Sequence, residues 1–359
     1  MTLDDIGYNN QFEAFRIENK PEGLETGRVV TVHKDRYIVR TINGEYEAEI
    51  TGTMRFTAKD REDFPAVGDW VSLTTYEESF AIIHQIFPRF SILRRQAVDH
   101  TGDVQIIAAN IDYAFLVQAV DRDFNVNRLE RYLTICNSGK VSPIIILTKT
   151  DLADQQRIDE LCSAIKGRIR DIPIIPISNA TKDGLEAIMS IIQKGKTYCL
   201  LGSSGVGKSS LLNNLSGKTL MRTDAISLSN NKGRHVTSHR ELIVLGNGGI
   251  LIDNPGMREV GITDTAGGLE LTFDAIATLA KECRFKNCTH TTEIGCAVLE
   301  AVENGEIDEA SFENYQKMER EMERFGESVA ERRKKDRDFG KYMKNYKKEM
   351  KGKNIKPDF

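Results

Sequence analysis

A glycine-rich segment late in the chain has the composition of a phosphate-binding loop. Residues 201–210, "LGSSGVGKSS", fit the pattern G-x-x-x-x-G-K-[ST] and lie between the apolar run "TYCLL" and the helical run "LLNNL". Glycines let backbone N–H groups converge on phosphate oxygens, a lysine neutralises the charge, and a hydroxyl can bind Mg²⁺. We expect these residues to contact a nucleotide, with Ser209 also at the Mg²⁺: Gly202, Ser203, Ser204, Gly205, Val206, Gly207, Lys208, Ser209 and Ser210.

A second segment, "LTKTD", carries groups that could select a base. It ends another apolar run, and a carboxylate at Asp151 can accept two N–H bonds from guanine that adenine cannot offer. The stem of Lys149 can lie along the base and ribose. A T-K-x-D tetrapeptide alone is a weak signal, but beside a phosphate loop in the same sheet it favours guanine. The predicted base-side residues are Thr148, Lys149, Thr150 and Asp151, with Ser178 and Asn179 of "PISNATKDG" on a second loop.

Two segments after the phosphate loop could complete a Mg²⁺ site. In "LIDNPG", Asp253 follows an apolar run and could hold the water shell of the ion, while the N–H of Gly256 could meet a γ-phosphate. Upstream, Thr237 of "GRHVTSHREL" lies where a switch threonine is expected. An isolated threonine there would otherwise belong to a solvated loop. With the other motifs, it is predicted to bind Mg²⁺.

These motifs occur in an unusual order. The base-side segments precede the phosphate loop, whereas ordinary GTPases place them after it. A permutation is tolerated because such a site is assembled from loops at the carboxyl ends of sheet strands, which need only keep their positions in space. The sequence therefore predicts a circularly permuted GTPase whose switches lead into the C-terminal region.

The residue expected to orient the attacking water is missing. Met257 follows "DNPG", where Ras-like enzymes carry a glutamine, and a methionine cannot do that work. His235 is the nearest imidazole in the switch, and we predict that it is catalytic; His239 is the rival. The alternative for each is a solvated switch histidine. Slow intrinsic hydrolysis, accelerated when a partner orders the switches, follows from this arrangement.

A cysteine and histidine cluster near the C-terminus has metal-ligand spacing. Three of the six cysteines and one histidine fall within fourteen residues, in the pattern C-x₄-C-x-H-x₅-C. Three thiolates and one imidazole make a closed tetrahedral set that suits structural Zn²⁺ and leaves no position for a reactive water. The alternative is a group of buried free thiols. The predicted ligands are Cys283, Cys288, His290 and Cys296.

Hydrophobic patterning divides the chain into three parts. Short alternating runs with turn signals over 27–93 indicate a small β-barrel, either of the oligonucleotide-binding (OB) type or SH3-like. Apolar strands that alternate with helices follow, as in a parallel sheet covered on both faces. We expect a multidomain α/β protein with an OB-like barrel at 1–98, the permuted GTPase domain at 99–262, and a zinc-binding helical domain with a basic tail at 263–359.

Composition restricts location and partners. No run approaches the roughly 18 apolar residues of a membrane span, and the N-terminus lacks the order of a signal peptide, so we expect a cytoplasmic protein with no membrane partner. The net charge is −4, but residues 331–359 hold twelve Lys/Arg against five Asp/Glu. A charge run is usually a solvated face. Because the rest of the chain is acidic, the tail is nevertheless predicted to contact RNA.

Together, the permuted order, the barrel and the Cys/His cluster resemble the bacterial ribosome small-subunit-dependent GTPase A family over nearly the whole chain. The resemblance implies a GTPase that binds the 30S ribosomal subunit and its 16S rRNA late in assembly and leaves after GTP hydrolysis, and we expect a monomer. Thr148 stands where that family usually has Asn. The alternative function is a nucleotide-sensing RNA-binding regulator with incidental turnover. The residues that carry the resemblance are "GDWV", "TKTD", "GSSGVGKSS", "GRHVTSHREL", "DNPGMRE" and "CRFKNCTHTTEIGCAV".

Overall fold

A computed structural model of the 359-residue chain describes residues 2–19, 23–33, 36–76, 79–96, 104–121, 124–217, 241–253 and 267–326. Eleven of its strands form one continuous hydrogen-bonded sheet, and two others form a separate two-stranded antiparallel sheet. The N-terminal part of this sheet closes into a barrel, and the remainder is the sheet of an α/β core. Within the described part of the chain, no helix combines the length and apolarity needed to cross a membrane.

The barrel has five strands in the order β1-β2-β3-β5-β4, and β4 pairs with β1 to close it. Strands β3 and β5 are parallel, and the other neighbours are antiparallel. This arrangement confirms the predicted OB-like barrel. The elements are a short 3-10 helix (Asp4–Ile6), α1 (Asn10–Asn19), β1 (Glu25–His33), β2 (Arg36–Arg40), β3 (Glu45–Ile50), α2 (Gly52–Thr57), a second 3-10 helix (Arg61–Asp63), β4 (Trp70–Tyr76) and β5 (Phe80–Ile86).

Strands β2 and β3 form a hairpin whose turn contains Asn43 and Gly44. Thr41 N–H donates to the carbonyl of Gly44 at 2.8 Å, and Gly44 has a φ of +146°. The backbone there is in a region that favours glycine, so the turn residue fixes the register of the two strands. Val39 and Ala48 then point into the barrel interior.

The core that follows has six strands in the order β10-β9-β8-β11-β13-β12. The first five are parallel. Strand β12 is antiparallel to β13, and it also pairs with β1 of the barrel at Thr31 and Glu241. The elements are β6 (Ile92–Gln96), β7 (Val104–Ala109), β8 (Tyr113–Ala119), α3 (Val126–Gly139), β9 (Ser142–Thr148), a 3-10 helix (Thr150–Leu152), α4 (Gln155–Arg168), β10 (Ile174–Pro176), α5 (Leu185–Ile191), β11 (Thr197–Leu201), α6 (Lys208–Ser216), β12 (Glu241–Val244) and β13 (Ile250–Asp253).

Two apolar layers cover this sheet, one on each face. One layer includes Leu116, Leu129 and Ile145, and the other includes Phe115, Ile146 and Leu211. Alternate residues of a single strand therefore enter different layers, as expected for a sheet buried on both faces. The antiparallel pairing of β6 with β7 was not anticipated, because both strands border or enter a polar stretch of sequence.

A fully buried guanidinium joins the barrel to the core. Arg28 of β1 donates to the carbonyls of Ile6 at 2.6 Å and Asn110 at 3.0 Å, and to the hydroxyl of Thr197 at 3.0 Å. Burial lowers the pKa of Arg28 to about 10. Because a buried charge is stable only when its hydrogen bonds are made, these contacts fix the barrel against the core.

The C-terminal unit is helical and has its own apolar core, which includes Phe273, Ile276 and Val298. It packs against α3, where Gly268 approaches so closely that an added Cβ would lie 2.1 Å from Ser138 Oγ. The elements are α7 (Gly268–Thr272), α8 (Asp274–Leu279), a 3-10 helix (Ala280–Glu282), α9 (Ala297–Glu303) and α10 (Glu309–Gly326). The basic segment 331–359 lies outside the described residues.

Candidate functional site

Parallel strands bring the predicted nucleotide residues to one edge of the sheet. Strands β9, β8, β11 and β13 are neighbours in this order, and all four are parallel. Thr148, Gly202 and Asp253 lie at the carboxyl ends of β9, β11 and β13. Asp253 is the last residue of β13 and is buried. The segments that are separated in sequence by the permutation therefore meet in space, at the edge where ligands bind in open α/β sheets.

The glycine-rich loop has the backbone that its glycines allow. Gly205 and Gly207 have φ values of +83° and +94°, and Lys208 begins α6 directly after the loop. At Gly202, an added Cβ would lie 2.5 Å from the carbonyl oxygen of Val117 on β8. The first glycine is thus required by close packing on the sheet, and the other two by left-handed backbone. Ser209 and Ser210 lie half-buried in the first turn of α6.

The lysine of this loop is buried and held by the loop itself. The Lys208 ammonium donates to the carbonyls of Gly202 at 2.8 Å and Ser203 at 2.6 Å. Burial lowers the pKa of Lys208 to about 8, against the opposing effect of the Asp253 carboxylate. These bonds hold Lys208 against the loop. Burial destabilises its charged form, and a negatively charged ligand bound nearby would stabilise that form.

Both base-side loops are hydrogen-bonded to the glycine-rich loop. The Thr148 hydroxyl donates to the carbonyl of Val206 at 2.5 Å, and the Asn179 amide donates to the carbonyl of Gly207 at 3.1 Å. Asn214 of α6 in turn donates to the main-chain and side-chain oxygens of Asn179, at 3.1 and 3.2 Å. The three predicted loops thus form one connected structure.

Side chains of the two base-side loops also contact each other. The Ser178 hydroxyl donates to Asp151 at 2.6 Å and accepts N–H bonds from Ala180 and Thr181. Thr150 N–H donates to the carbonyl of Ile177 at 3.2 Å. The Asp151 carboxylate is thereby held at the loop surface, where it is exposed.

Some contacts at this site were not anticipated from the sequence. Lys149 has a left-handed φ of +62°, and its ammonium pairs with Asp121 at 2.7 Å. Arg128 of α3 donates to the hydroxyl of Ser203 at 3.1 Å. The signal that could have found Asp121 is its position just after the apolar strand β8, at the same edge of the sheet. Nothing in the sequence around Arg128 indicated its partner.

Three predicted residues lie outside the described part of the chain: the proposed catalytic His235, the proposed Mg²⁺ ligand Thr237, and Gly256. His239 and Met257 lie outside it as well. The described half of the site therefore comprises the glycine-rich loop, the two base-side loops and Asp253.

The predicted metal ligands form a compact cluster in the C-terminal unit. The ligand atoms of Cys283, Cys288, His290 and Cys296 all lie within 4.8 Å of one another. Cys283 Sγ is 3.8 Å from Cys296 Sγ and 3.7 Å from His290 Nδ1, which is 3.3 Å from Cys296 Sγ. Zn–S bonds of about 2.3 Å at tetrahedral angles would separate sulfur atoms by roughly 3.8 Å. The donor set and its spacing fit a tetrahedral metal ion.

Neighbouring backbone holds the cluster in place. His290 has a left-handed φ of +53°, and its carbonyl accepts a bond from the Gln316 amide of α10 at 2.9 Å. Cys296 precedes α9, and its sulfur accepts the N–H of Leu299 at 3.4 Å. The cluster therefore joins α9, α10 and the preceding loop, which is the usual role of a structural metal site in a small unit.

The base-side segments precede the glycine-rich loop in sequence, yet all three lie at one edge of a parallel sheet. Together with the closed five-strand barrel, this arrangement defines a circularly permuted P-loop GTPase. A family model described as "RsgA GTPase" matches residues 86–263. The chain belongs to the RsgA GTPase family, and it is a GTPase. A second model, described as "ABC transporter", matches residues 185–346, a range that includes the P-loop common to many nucleotide hydrolases.

Relatives and solved structures agree with this family. The chain is 42% identical over 329 residues to "Small ribosomal subunit biogenesis GTPase RsgA 2" of Lactiplantibacillus plantarum, covering 90% of both chains. It is 42% identical over 297 residues to a relative in Methanosarcina acetivorans named "Small ribosomal subunit biogenesis GTPase RsgA", covering 82% and 79%. The crystal structure of YjeQ from Thermotoga maritima is similar, with 26% identity, a TM-score of 0.61, and coverage of 83% of this chain and 98% of that one.

Proposed function

We propose that this GTPase is a late assembly factor of the 30S ribosomal subunit that binds 16S rRNA and is released when GTP is hydrolysed. The observation that carries the proposal is the name of relatives such as the Lactiplantibacillus plantarum protein, with which the alignment covers 90% of each chain. The protein would act as a cytoplasmic monomer.

The proposed nucleotide contacts follow from the connected loops. Residues 202–210 would bind the phosphates, and the carboxylate of Asp151 would accept the two N–H groups of guanine, with Ser178 holding it. Thr148 and Asn179 would hold the base-side loops against the phosphate loop. Lys149 and Thr150 would also contact the nucleotide on the side of the base. This assignment is supported by the hydrogen bonds from Thr148 to Val206 and from Asn179 to Gly207.

The proposed metal ions have different tasks. Mg²⁺ would be held by Ser209, Thr237 and Asp253, where it would neutralise charge on the transferred phosphoryl group. Gly256 would meet the γ-phosphate through its N–H. Zn²⁺ would be structural, held by the Cys₃His cluster whose ligand spacing fits tetrahedral geometry.

We assign the orientation of the attacking water to His235. The basis is its sequence position two residues before Thr237, together with Met257 at the place where Ras-like enzymes have a glutamine. His235→Ala should keep GTP affinity within a few-fold and lower the subunit-stimulated kcat by roughly 10²–10⁴. His239→Ala is the matched control and should do much less. A wild-type rate for His235→Ala on 30S subunits would remove the assignment.

RNA contact is assigned to the barrel, the metal-binding unit and the basic tail. These would correspond to domains at 1–98 and 263–359, on either side of the GTPase domain at 99–262. The support is electrostatic: the tail has a net charge of about +7 by residue count, and neutralised phosphates release counterions on binding. Removal of residues 331–359 should weaken binding to 30S subunits and reduce its dependence on salt.

The release step can be tested by co-sedimentation. The protein should pellet with isolated 30S subunits in a non-hydrolysable GTP analogue and remain in the supernatant with GDP. Equal pelleting in both nucleotides would contradict release on hydrolysis. The alternative, a nucleotide-sensing regulator that guanosine tetraphosphate could inhibit, predicts RNA binding without any stimulation of turnover by the subunit.

A further inference from the structure

Helix α3 contacts the phosphate loop at one end. Asn125 caps the helix by accepting the N–H of Arg128, and the Arg128 guanidinium donates to the Ser203 hydroxyl at 3.1 Å. The two residues are 75 positions apart in sequence. Ser203 is buried and Arg128 is half-buried, so the bond between them is partly shielded from water.

Ser203 accepts hydrogen bonds from two cations. Its hydroxyl accepts from Arg128, and its carbonyl accepts from the Lys208 ammonium at 2.6 Å. Hydrogen bonds to charged groups are stronger and more directional than neutral ones. The orientation of Ser203, and with it the first half of the phosphate loop, therefore depends on Arg128 as well as on Lys208.

The C-terminal unit holds the same helix two residues further along, at Glu130. Glu130 of α3 is buried and accepts bonds from Ser311 at 2.9 Å and Asn314 at 2.6 Å, both on α10. Arg168 of α4 pairs with this carboxylate at 2.6 Å. Removing a partner from such a buried network is costly, so α3 is fixed on this side. Arg128 consequently extends toward the phosphate loop from a rigid support.

We propose that Arg128 is a positioning residue of the GTPase site, which fixes the phosphate loop through Ser203 and adds positive charge beside this loop. The inference rests on the proposed assignment of residues 202–210 to the phosphates. Because backbone N–H groups of such a loop face the ligand, a guanidinium held against the loop favours nucleotides according to their negative charge. Arg128 thus contributes to the preference for GTP and GDP over GMP.

The test is the affinity of the full-length Arg128→Ala variant for GTP, GDP and GMP, measured by competition with a fluorescent guanine nucleotide. We expect GTP and GDP to bind about tenfold more weakly, the loss expected for one charged hydrogen bond, and GMP to bind within twofold of wild type. Arg131→Ala is the matched control: Arg131 lies on the same helix but pairs with Glu321 of α10 at 2.7 Å, and its removal should leave all three affinities unchanged.

A double-mutant cycle tests the route through Ser203. If Arg128 acts on the loop through that hydroxyl, Ser203→Ala and Arg128→Ala should together lose little more than either alone. Additive losses would overturn this route. Wild-type GTP affinity in Arg128→Ala would overturn the proposal, as would an equal loss for GMP and GTP, which would show general loosening of the site. Failure of the wild-type protein to bind GTP would instead contradict the proposed function itself.

Discussion

The Thr148 hydroxyl at the end of β9 donates a hydrogen bond of 2.5 Å to the carbonyl of Val206 in the glycine-rich loop. Both residues are buried, so neither group can turn to water instead. The bond joins a base-side loop directly to the phosphate loop, although their order in the chain is reversed relative to ordinary GTPases. Thr148, which stands where the RsgA family usually has asparagine, can therefore join the base-side loop to the phosphate loop.

Thr148→Val should therefore weaken GTP binding by about tenfold and lower the free energy of unfolding by about 1–3 kcal/mol. Valine keeps the shape of threonine but leaves the buried Val206 carbonyl without this donor. Thr148→Ser is the matched control and should stay close to wild type in GTP affinity. Nucleotide titration and denaturant unfolding measure the two effects; equal behaviour of the valine and serine variants would show that the bond has no such role.

Asp151→Asn should shift nucleotide preference from GTP toward xanthosine triphosphate. An amide at this position can donate to the carbonyl that xanthine has in place of the guanine amino group, whereas the carboxylate can only accept. Ser178 should hold either side chain, because its hydroxyl is both donor and acceptor. Competition between the two nucleotides measures the shift, and an unchanged preference would remove Asp151 from the base site.

Cys288→Ser should release the metal and unfold the C-terminal unit while GTP affinity falls no more than a few-fold. The reason is that the cluster joins α9 and α10, whereas the phosphate and base-side loops are joined by their own hydrogen bonds. Elemental analysis of carefully purified protein should find one zinc per chain in wild type and less in the variant. Full loss of GTP binding would show that the two units are more strongly coupled than the contacts indicate.

Lys208 should make nucleotide binding depend on pH. Burial lowers its pKa from 10.5 to about 8, so the folded chain releases this proton at a lower pH than the unfolded chain does. By linkage, this lysine makes the nucleotide-free fold more stable as pH rises from about 8 to 10. Phosphates need the charged form, so GTP affinity should fall about tenfold between pH 7 and 9. Lys208→Arg stays charged throughout and should bind with little dependence on pH; the same fall in that variant would assign it to another group.

Much of this architecture could be predicted from the sequence, because its signals are local. The glycine-rich loop, the hairpin at Asn43-Gly44 and the Cys/His spacing each depend on residues close together in the chain. The contacts of Arg128 with Ser203 and of Glu130 with Asn314 could not be predicted, since they join residues 75 and 184 positions apart. Glu130 shows the difficulty well: a glutamate in a helix usually faces water, and only the packed partners explain its burial.

The most direct test of the central claim is the rate of GTP hydrolysis with and without isolated 30S subunits. If the protein is a 30S assembly factor, the subunit should raise kcat markedly above a slow intrinsic rate. Isolated 50S subunits are the matched control and should have little effect. A rate that does not respond to 30S subunits would contradict the proposed function and favour a nucleotide-sensing RNA-binding regulator.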